Sequence, residues 1–220
     1  MGDREFFGGK PVLQFSTNHD RRAFLRYAGM VGVGASLVAG GALAAPGLAA
    51  AATPGALRAG KTGGDIDILN YALTLEYLEA DYYATGLAKG LLADRELELV
   101  TPIGDHEKAH VTAVTDTVKT LGGTPVSKPK ITYPAGTFDS KESFLKNAAT
   151  FEEVGVTAYH GQVPLISSVD VLAAAASIAG VESRHAAILA QLTGGNPFPH
   201  DIEEHRTMAE VLKIVKPFLS

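Results

Sequence analysis

The strongest constraint on this chain is a repeat of polar residues inside apolar, helix-forming sequence. Glu76 and Glu152 stand 76 positions apart, as do Tyr83 and Tyr159 and also Ala72 and Ala148. Glu107 and Glu182 stand 75 apart, as do His110 and His185. Within each half, a Glu-x6-Tyr segment is followed by a Glu-x-x-His segment. A separation of three places Glu and His on one helix face, and seven residues is about two helical turns, so Glu and Tyr also share a face. Matched polar residues in two halves imply two helical hairpins related by a pseudo-twofold axis, with those residues meeting at it.

The surrounding sequence supports four long helices. The first is expected over about Asp67–Lys89, where Ile68, Leu69, Ala72, Leu75, Leu78 and Tyr82 recur at three- and four-residue steps. Asp65 or Asp67 is suited to cap it and Gly90 to end it. A second, about Asp94–Leu121, contains Pro102, which should kink or delay it, and stops at Gly122-Gly123. A third starts at Asp139 or Ser140, where Asp139-x-x-Glu142 reads as a capping box, and continues to about Ser167 with Pro164 bending its last turn. A fourth covers about Asp170–Leu192 and ends at Gly194-Gly195; a short fifth is expected over about Arg206–Val215. The first and last pairs are joined by short loops, as antiparallel hairpins are. The 122–138 connection is long and holds Pro125, Pro129 and Pro134. Fully extended, at up to ~3.3 Å per residue, it reaches the length of a twenty-residue helix. The expectation is therefore an all-α four-helix bundle with one long crossover.

Charge and composition narrow the chemistry. The chain carries a net charge of −5 and no cysteine. With no Lys/Arg stripe in its body, nucleic acid is not an expected partner. Without cysteine, disulfides, thiolate metal sites and cysteine nucleophiles are excluded, so a metal would have to be held by His, Asp or Glu. Four glutamates converging in a core would repel one another, at several kcal/mol per unpaired buried ion. Cations remove that conflict, and Glu76, Glu107, His110, Glu152, Glu182 and His185 supply oxygen and imidazole donors suited to two iron or two manganese ions.

Taken together, these residues resemble the ferritin-like superfamily, and more narrowly the exported ferritin-like family that includes desiccation-related proteins. The resemblance is carried by Leu69-Asn70-Tyr71-Ala72-Leu73-Thr74-Leu75-Glu76-Tyr77-Leu78-Glu79-Ala80, by Phe151-Glu152-Glu153-Val154-Gly155-Val156-Thr157-Ala158-Tyr159, and by Ile178-Ala179-Gly180-Val181-Glu182-Ser183-Arg184-His185-Ala186, and it covers roughly residues 65–220. It implies that Glu107 and Glu182 bridge two ions, that Glu76 with His110 completes one, and that Glu152 with His185 completes the other. The implied fold is a ferritin-like bundle over 65–195, followed by a tail, 196–220, with a short helix.

Several neighbouring polar residues compete with this set. Glu79, one turn beyond Glu76, is an extra ligand or a solvated residue, with the solvated role favoured. Glu153 competes with Glu152, and the tyrosine spacing favours Glu152. His106 points about 100° away from Glu107 and is not expected to be a ligand. His160, His200 and His205 are expected at the surface or the edge of the core. Tyr83 and Tyr159 are either core residues or hydroxyl donors that orient the ligand carboxylates.

The first 52 residues read as an address. Asp20-Arg21-Arg22-Ala23-Phe24-Leu25-Arg26 precedes an uncharged Gly/Ala stretch ending in Leu48-Ala49-Ala50-Ala51, and it resembles a twin-arginine leader. The expected location is outside the cytoplasm: periplasm, envelope or extracellular space. An uncleaved leader would tether the protein to the membrane. A linker over 53–64 would follow. Two functions fit. One is redox chemistry on iron, dioxygen or peroxide, ferroxidase-like or peroxide-removing, in an oxidative-stress role. The other is a non-enzymatic envelope or stress-protection protein, or an accessory subunit of a membrane complex, with a structural metal. A homo-oligomer is compatible with both.

Overall fold

Helix-forming periodicity becomes five α-helices in the computed structural model, which describes residues 62–219; the leader and most of the expected linker lie outside the described residues. The elements are α1 (Thr62–Ala88), α2 (Asp94–Thr120), α3 (Lys141–Gln162), α4 (Val169–Leu192) and α5 (Met208–Val215), with 3-10 turns at Val163–Leu165 and Lys216–Phe218. Helix α1 pairs with α2 and α3 with α4, and the hairpins meet across α1–α3 and α2–α4. This is the expected all-α four-helix bundle, with a short fifth helix against α3. Among the described residues, no helix is long and apolar enough to cross a membrane.

Several local expectations are corrected. Helix α1 starts at Thr62, so Gly63-Gly64 lie in its first turn. Asp65 does not cap its own helix. Its two carboxylate oxygens each accept a 2.8 Å bond, from the backbone N–H groups of Ser167 and Ser168, and so brace the entry to α4. Helix α3 is capped by Ser140 with Ser143 rather than by Asp139 with Glu142: the Ser140 hydroxyl accepts from the Ser143 N–H, and the Ser143 hydroxyl accepts from the Ser140 N–H. Helix α3 ends at Gln162, because Pro164 lacks the N–H that would continue it and takes the first turn of a 3-10 segment instead. Helix α2 runs through Pro102 as a single α-helix.

The crossover is held along its whole length. Asn70 donates to the Thr124 carbonyl at 3.1 Å and accepts from the Val126 N–H at 2.8 Å. Further along α1, Asp81 takes Lys128 in an ion pair and the Tyr133 hydroxyl at 2.9 Å. The chain therefore descends beside α1 and starts α3 at the far end, antiparallel to α1. Ile131 pairs with Leu219, and the Thr132 N–H donates to the Phe218 carbonyl at 3.0 Å, so the C-terminal residues clasp the crossover.

Two apolar clusters form the core. One contains Tyr82, Tyr83, Val100, Ile103, Phe144, Phe151 and Leu189; the other contains Leu69, Leu73, Val114, Val118, Val171 and Ile178. Between them lies a polar layer contributed by all four helices.

The segment before α5 is pinned on α3 by close backbone approach. The Arg206 N–H donates to the Thr157 carbonyl at 3.0 Å, and a Cβ on Gly161 would sit 1.9 Å from the Arg206 carbonyl oxygen. That clash is with backbone, so no rotamer change relieves it. Gly161→Ala is therefore expected to lower the unfolding free energy by about 1–3 kcal/mol and to speed proteolytic cutting near residues 200–207. Urea titration and limited proteolysis read the two effects.

Candidate metal centre

Four helices place the polar layer, and their spacing explains how. Glu76 on α1 and Glu152 on α3 point inward from faces otherwise lined by Leu, Ala and Phe. Glu107-x-x-His110 on α2 and Glu182-x-x-His185 on α4 each put two donors on the inward face. Glu76, Glu107, Glu152 and Glu182 are 0 % exposed, His110 is 8 % and His185 4 %. All six candidate ligands meet, in two overlapping groups: Glu76, Glu107, His110 and Glu182, and Glu107, Glu152, Glu182 and His185. Within each group one donor atom from every residue lies within 4.8 Å of the others. Glu107 and Glu182 belong to both groups, as bridging residues would.

The histidines face inward through Nδ1. His110 Nδ1 lies 3.0 Å from Glu182, 3.2 Å from Glu107 and 3.3 Å from Glu76. His185 Nδ1 lies 3.0 Å from Glu107 and 3.2 Å from Glu152. The tyrosines are hydroxyl donors rather than plain core residues, and they act across the bundle. Tyr83 donates to Glu152 Oε1 at 2.6 Å, and Tyr159 donates to Glu76 Oε1. Each half thus orients the lone glutamate of the other half and leaves that carboxylate's second oxygen facing the centre.

Two residues read differently from the sequence. Glu79, favoured as solvated, is only 4 % exposed. It is accommodated by Gly155, whose added Cβ would lie 3.1 Å from Glu79 Oε1 and 3.0 Å from Glu182 Oε2. The three-residue step from Glu76 already placed Glu79 near the same face; what sequence could not show was the gap across from it. His106 is no member of either ligand group, as expected, but its Nδ1 lies 2.8 Å from Nε2 of His185, with the rings stacked. Burial and the neighbouring His185 hold His106 down to about 4, so it is neutral and can accept from the His185 Nε2–H. In the imidazolium Nε2–H donates to His106 and Nδ1–H to the carboxylates; once that ring loses a proton, the same bond keeps the remaining one on Nε2 and frees the Nδ1 lone pair for a cation. Glu153 is half-buried and outside both groups; His160 bonds the Val156 carbonyl, and His200 and His205 are exposed.

Electrostatically, so many carboxylates cannot all ionise together. Burial, with repulsion from Glu107, pushes Glu182 well above the ordinary carboxylate range. Burial, then Glu182 and Glu152, do the same to Glu79. Burial lifts Glu76 to about 7 against the pull of His110. Glu107 goes the other way: burial would raise it, but the imidazoles of His110 and His185 hold it far below the ordinary range. Burial would lower both histidines, yet Glu107 and Glu76 raise His110 well above its ordinary value, and Glu152 and Glu107 raise His185 to about 10. Without cations, then, protons fill the centre: two imidazoliums flank an ionised Glu107 while Glu182 and Glu79 stay protonated. The donor set fits divalent cations, which would displace those protons.

A ferritin-like domain model matches residues 64–195. The chain belongs to the ferritin-like domain family. Solved structures agree on the fold. A ferritin-like, diiron-carboxylate protein from Bacillus anthracis is 21 % identical, with a TM-score of 0.50 over 60 % of this chain and 96 % of the other. The dodecameric thioferritin of Bacteroides fragilis, a bacterioferritin-related protein, is 19 % identical, with a TM-score of 0.54 over 73 % of this chain and 94 % of that one. A conserved hypothetical protein of Mycobacterium tuberculosis is 18 % identical, with a TM-score of 0.54 over 64 % and 99 %. No curated protein sequence matches. For this ferritin-like chain, the family accounts for the bundle and the buried Glu/His layer.

The proton-filled centre gives the metal-free protein a signed pH dependence. Carboxyl groups raised by folding stabilise the fold while protonated, and they lose that contribution as pH rises through their folded values, near 7 for Glu76. Raised histidines lose theirs as pH rises from the ordinary 6.5 towards about 10 for His185. Glu107 acts oppositely, only at pH below its ordinary 4.5. The Tm of chelator-treated protein should therefore fall steadily from about pH 5 to about pH 9, and saturating Mn(II) should abolish that fall, because metal binding favours the deprotonated ligands.

Proposed function

We propose that this ferritin-like protein is an exported dinuclear iron or manganese carboxylate protein with redox activity towards iron, dioxygen or peroxide. The observation that supports it most is the pair of overlapping ligand groups sharing Glu107 and Glu182. In this reading Glu107 and Glu182 bridge, Glu76 and His110 complete one position, and Glu152 and His185 complete the other.

Two bound ions would supply a two-electron couple, so that dioxygen or peroxide is reduced without a released radical. The chain's own residues do the rest. Tyr83 and Tyr159 orient Glu152 and Glu76 by hydroxyl donation. His106 holds the ring of His185. The two apolar clusters on either side of the polar layer keep bulk water away from it.

Export is supported by the sequence: Arg21-Arg22-Ala23-Phe24-Leu25 and the uncharged stretch after it. The twin-arginine route carries folded proteins, which suits a chain loaded with metal before it leaves. N-terminal sequencing of the protein from its native cells should find a start just after the Ala-rich segment at 48–52; a start at Met1 would mean a tethered form.

The metal reading is tested by loading. Chelator-treated protein should bind two Mn(II), or two Fe(II) under anaerobic conditions, per chain, and a Glu107→Ala/His110→Ala double variant should lose them. Fewer than two ions, or unchanged binding in the variant, overturns the dinuclear assignment. Loaded protein should then consume dioxygen or peroxide; a loaded protein that consumes neither holds a structural metal instead.

A further inference from the structure

The two halves of the bundle match at the centre, with the matched pairs Glu76/Glu152, Glu107/Glu182 and His110/His185, and they depart from one another at two positions there. The counterpart of Glu79, 76 residues on, is Gly155; the counterpart of His106, 75 residues on, is Val181. A pseudo-symmetric centre with all its equivalents would hold two equal ions. This one has an extra carboxylate and an extra imidazole, both in the first half.

Both additions serve the same end of the centre. His106 bonds His185, whereas the corresponding residue for His110 would be Val181, which has no acceptor. Glu79 joins neither donor group as it stands, but its Oε1 faces Gly155, which follows Glu152 by three residues on α3 and so shares that residue's face. The Oε1 of Glu79 and the Oε2 of Glu182 close on the same small space, each nearer than van der Waals contact to where a Cβ on Gly155 would be, at 3.1 and 3.0 Å. Glu182 Oε2 is fully buried and has no hydrogen-bond partner among the described residues. Glu79 itself forms no ion pair among the described residues, although it is 4 % exposed. A glutamine would fill that space without the penalty of a buried carboxylate, several kcal/mol per ion. The missing side chain at Gly155 and the unpartnered Glu182 oxygen together give the Glu79 carboxylate a use.

We propose that Glu79 is an additional ligand, reaching through the gap left by Gly155 to the ion held by Glu152 and His185, so that this position is the tighter of two unequal ones. The proposal rests on the dinuclear reading above. One position has Glu76, Glu107, Glu182 and His110. The other has Glu107, Glu152, Glu182 and His185 with Glu79 added, closer to the oxygen-rich, higher-coordinate shell that manganese and ferrous ions favour.

Calorimetric titration of chelator-treated full-length protein with Mn(II) tests this, with Mn(II) EPR as a second readout of free and bound ion. The wild type should bind two ions in two resolved steps, the tighter first. Glu79→Gln should weaken the tighter step by about tenfold or more and leave the other within about twofold. Gly155→Ala, which keeps every carboxylate but fills the gap, should weaken the same step. In a His110→Ala background, Glu79→Gln should still weaken the remaining ion; in a His185→Ala background it should have almost no effect. Two ions bound by Glu79→Gln with wild-type affinities, or equal losses in both histidine backgrounds, would overturn the role of Glu79 and leave the dinuclear centre standing. A wild type that binds no Mn(II) and no Fe(II) removes both. Glu79→Gln takes an ionisable group out of the core and should fold; should it not, Glu79→Asp, which keeps the carboxyl but draws it back, carries the same expectation.

Discussion

Everything in this bundle is arranged around the burial of five glutamates in one layer. Each helix of the four contributes at least one, and four of the five are wholly shielded from solvent. Carboxylates in such a place repel one another and lose their hydration, which costs several kcal/mol per ion when nothing compensates. Two imidazoles reduce the cost without cancelling it, since five negative charges face two positive ones. The layer is tolerable only when it is filled, by protons or by cations. That requirement explains features that would otherwise look unrelated: hydroxyl donors on the two outer glutamates, an imidazole behind one of the histidines, and a glycine where a side chain would collide with carboxylate oxygens.

The apolar parts of the structure follow from the same need. The two core clusters sit on either side of the polar layer and supply the burial that stabilises the fold despite it. The Tyr83 and Tyr159 rings belong to these clusters, one to each, while their hydroxyls reach the glutamates. One side chain thus serves packing and site at once. Reciprocal orientation, in which each half positions the lone glutamate of the other, also ties the two hairpins together through the centre. The crossover, held to α1 by Asn70 and Asp81 and clasped at Ile131 by the C-terminal residues, fixes how the hairpins are placed. Chain reversal at both ends of the bundle therefore supports the geometry at its middle.

Symmetry and its violation carry different information. The matched residues define a centre with two equivalent halves; Glu79 with Gly155 and His106 with Val181 break that equivalence at one end. A pseudo-twofold scaffold can thus hold unlike environments a few ångströms apart with only two substitutions, because residues at the axis of a bundle face one another across it.

Much of this was determined by the sequence. Offsets of 75 and 76 between polar residues in helical sequence specify two similar hairpins, and three-residue spacing fixes Glu107 with His110 and Glu182 with His185 on shared faces, because helix period alone decides that. Loop lengths determined which helices are hairpins. Local capping was less legible: Ser140 rather than Asp139 begins α3, and Asp65 serves α4 rather than α1, because both depend on which backbone N–H groups come within reach in three dimensions. Tertiary structure alone decided the cross-bundle partners. That Tyr83 serves Glu152 and not its own Glu76, that His106 meets His185, and that Glu79 is buried in the gap at Gly155 all depend on contacts between residues 69 to 79 positions apart in the chain. Helical periodicity specifies the face a residue occupies on its own helix; what stands opposite that face is set by how the helices pack.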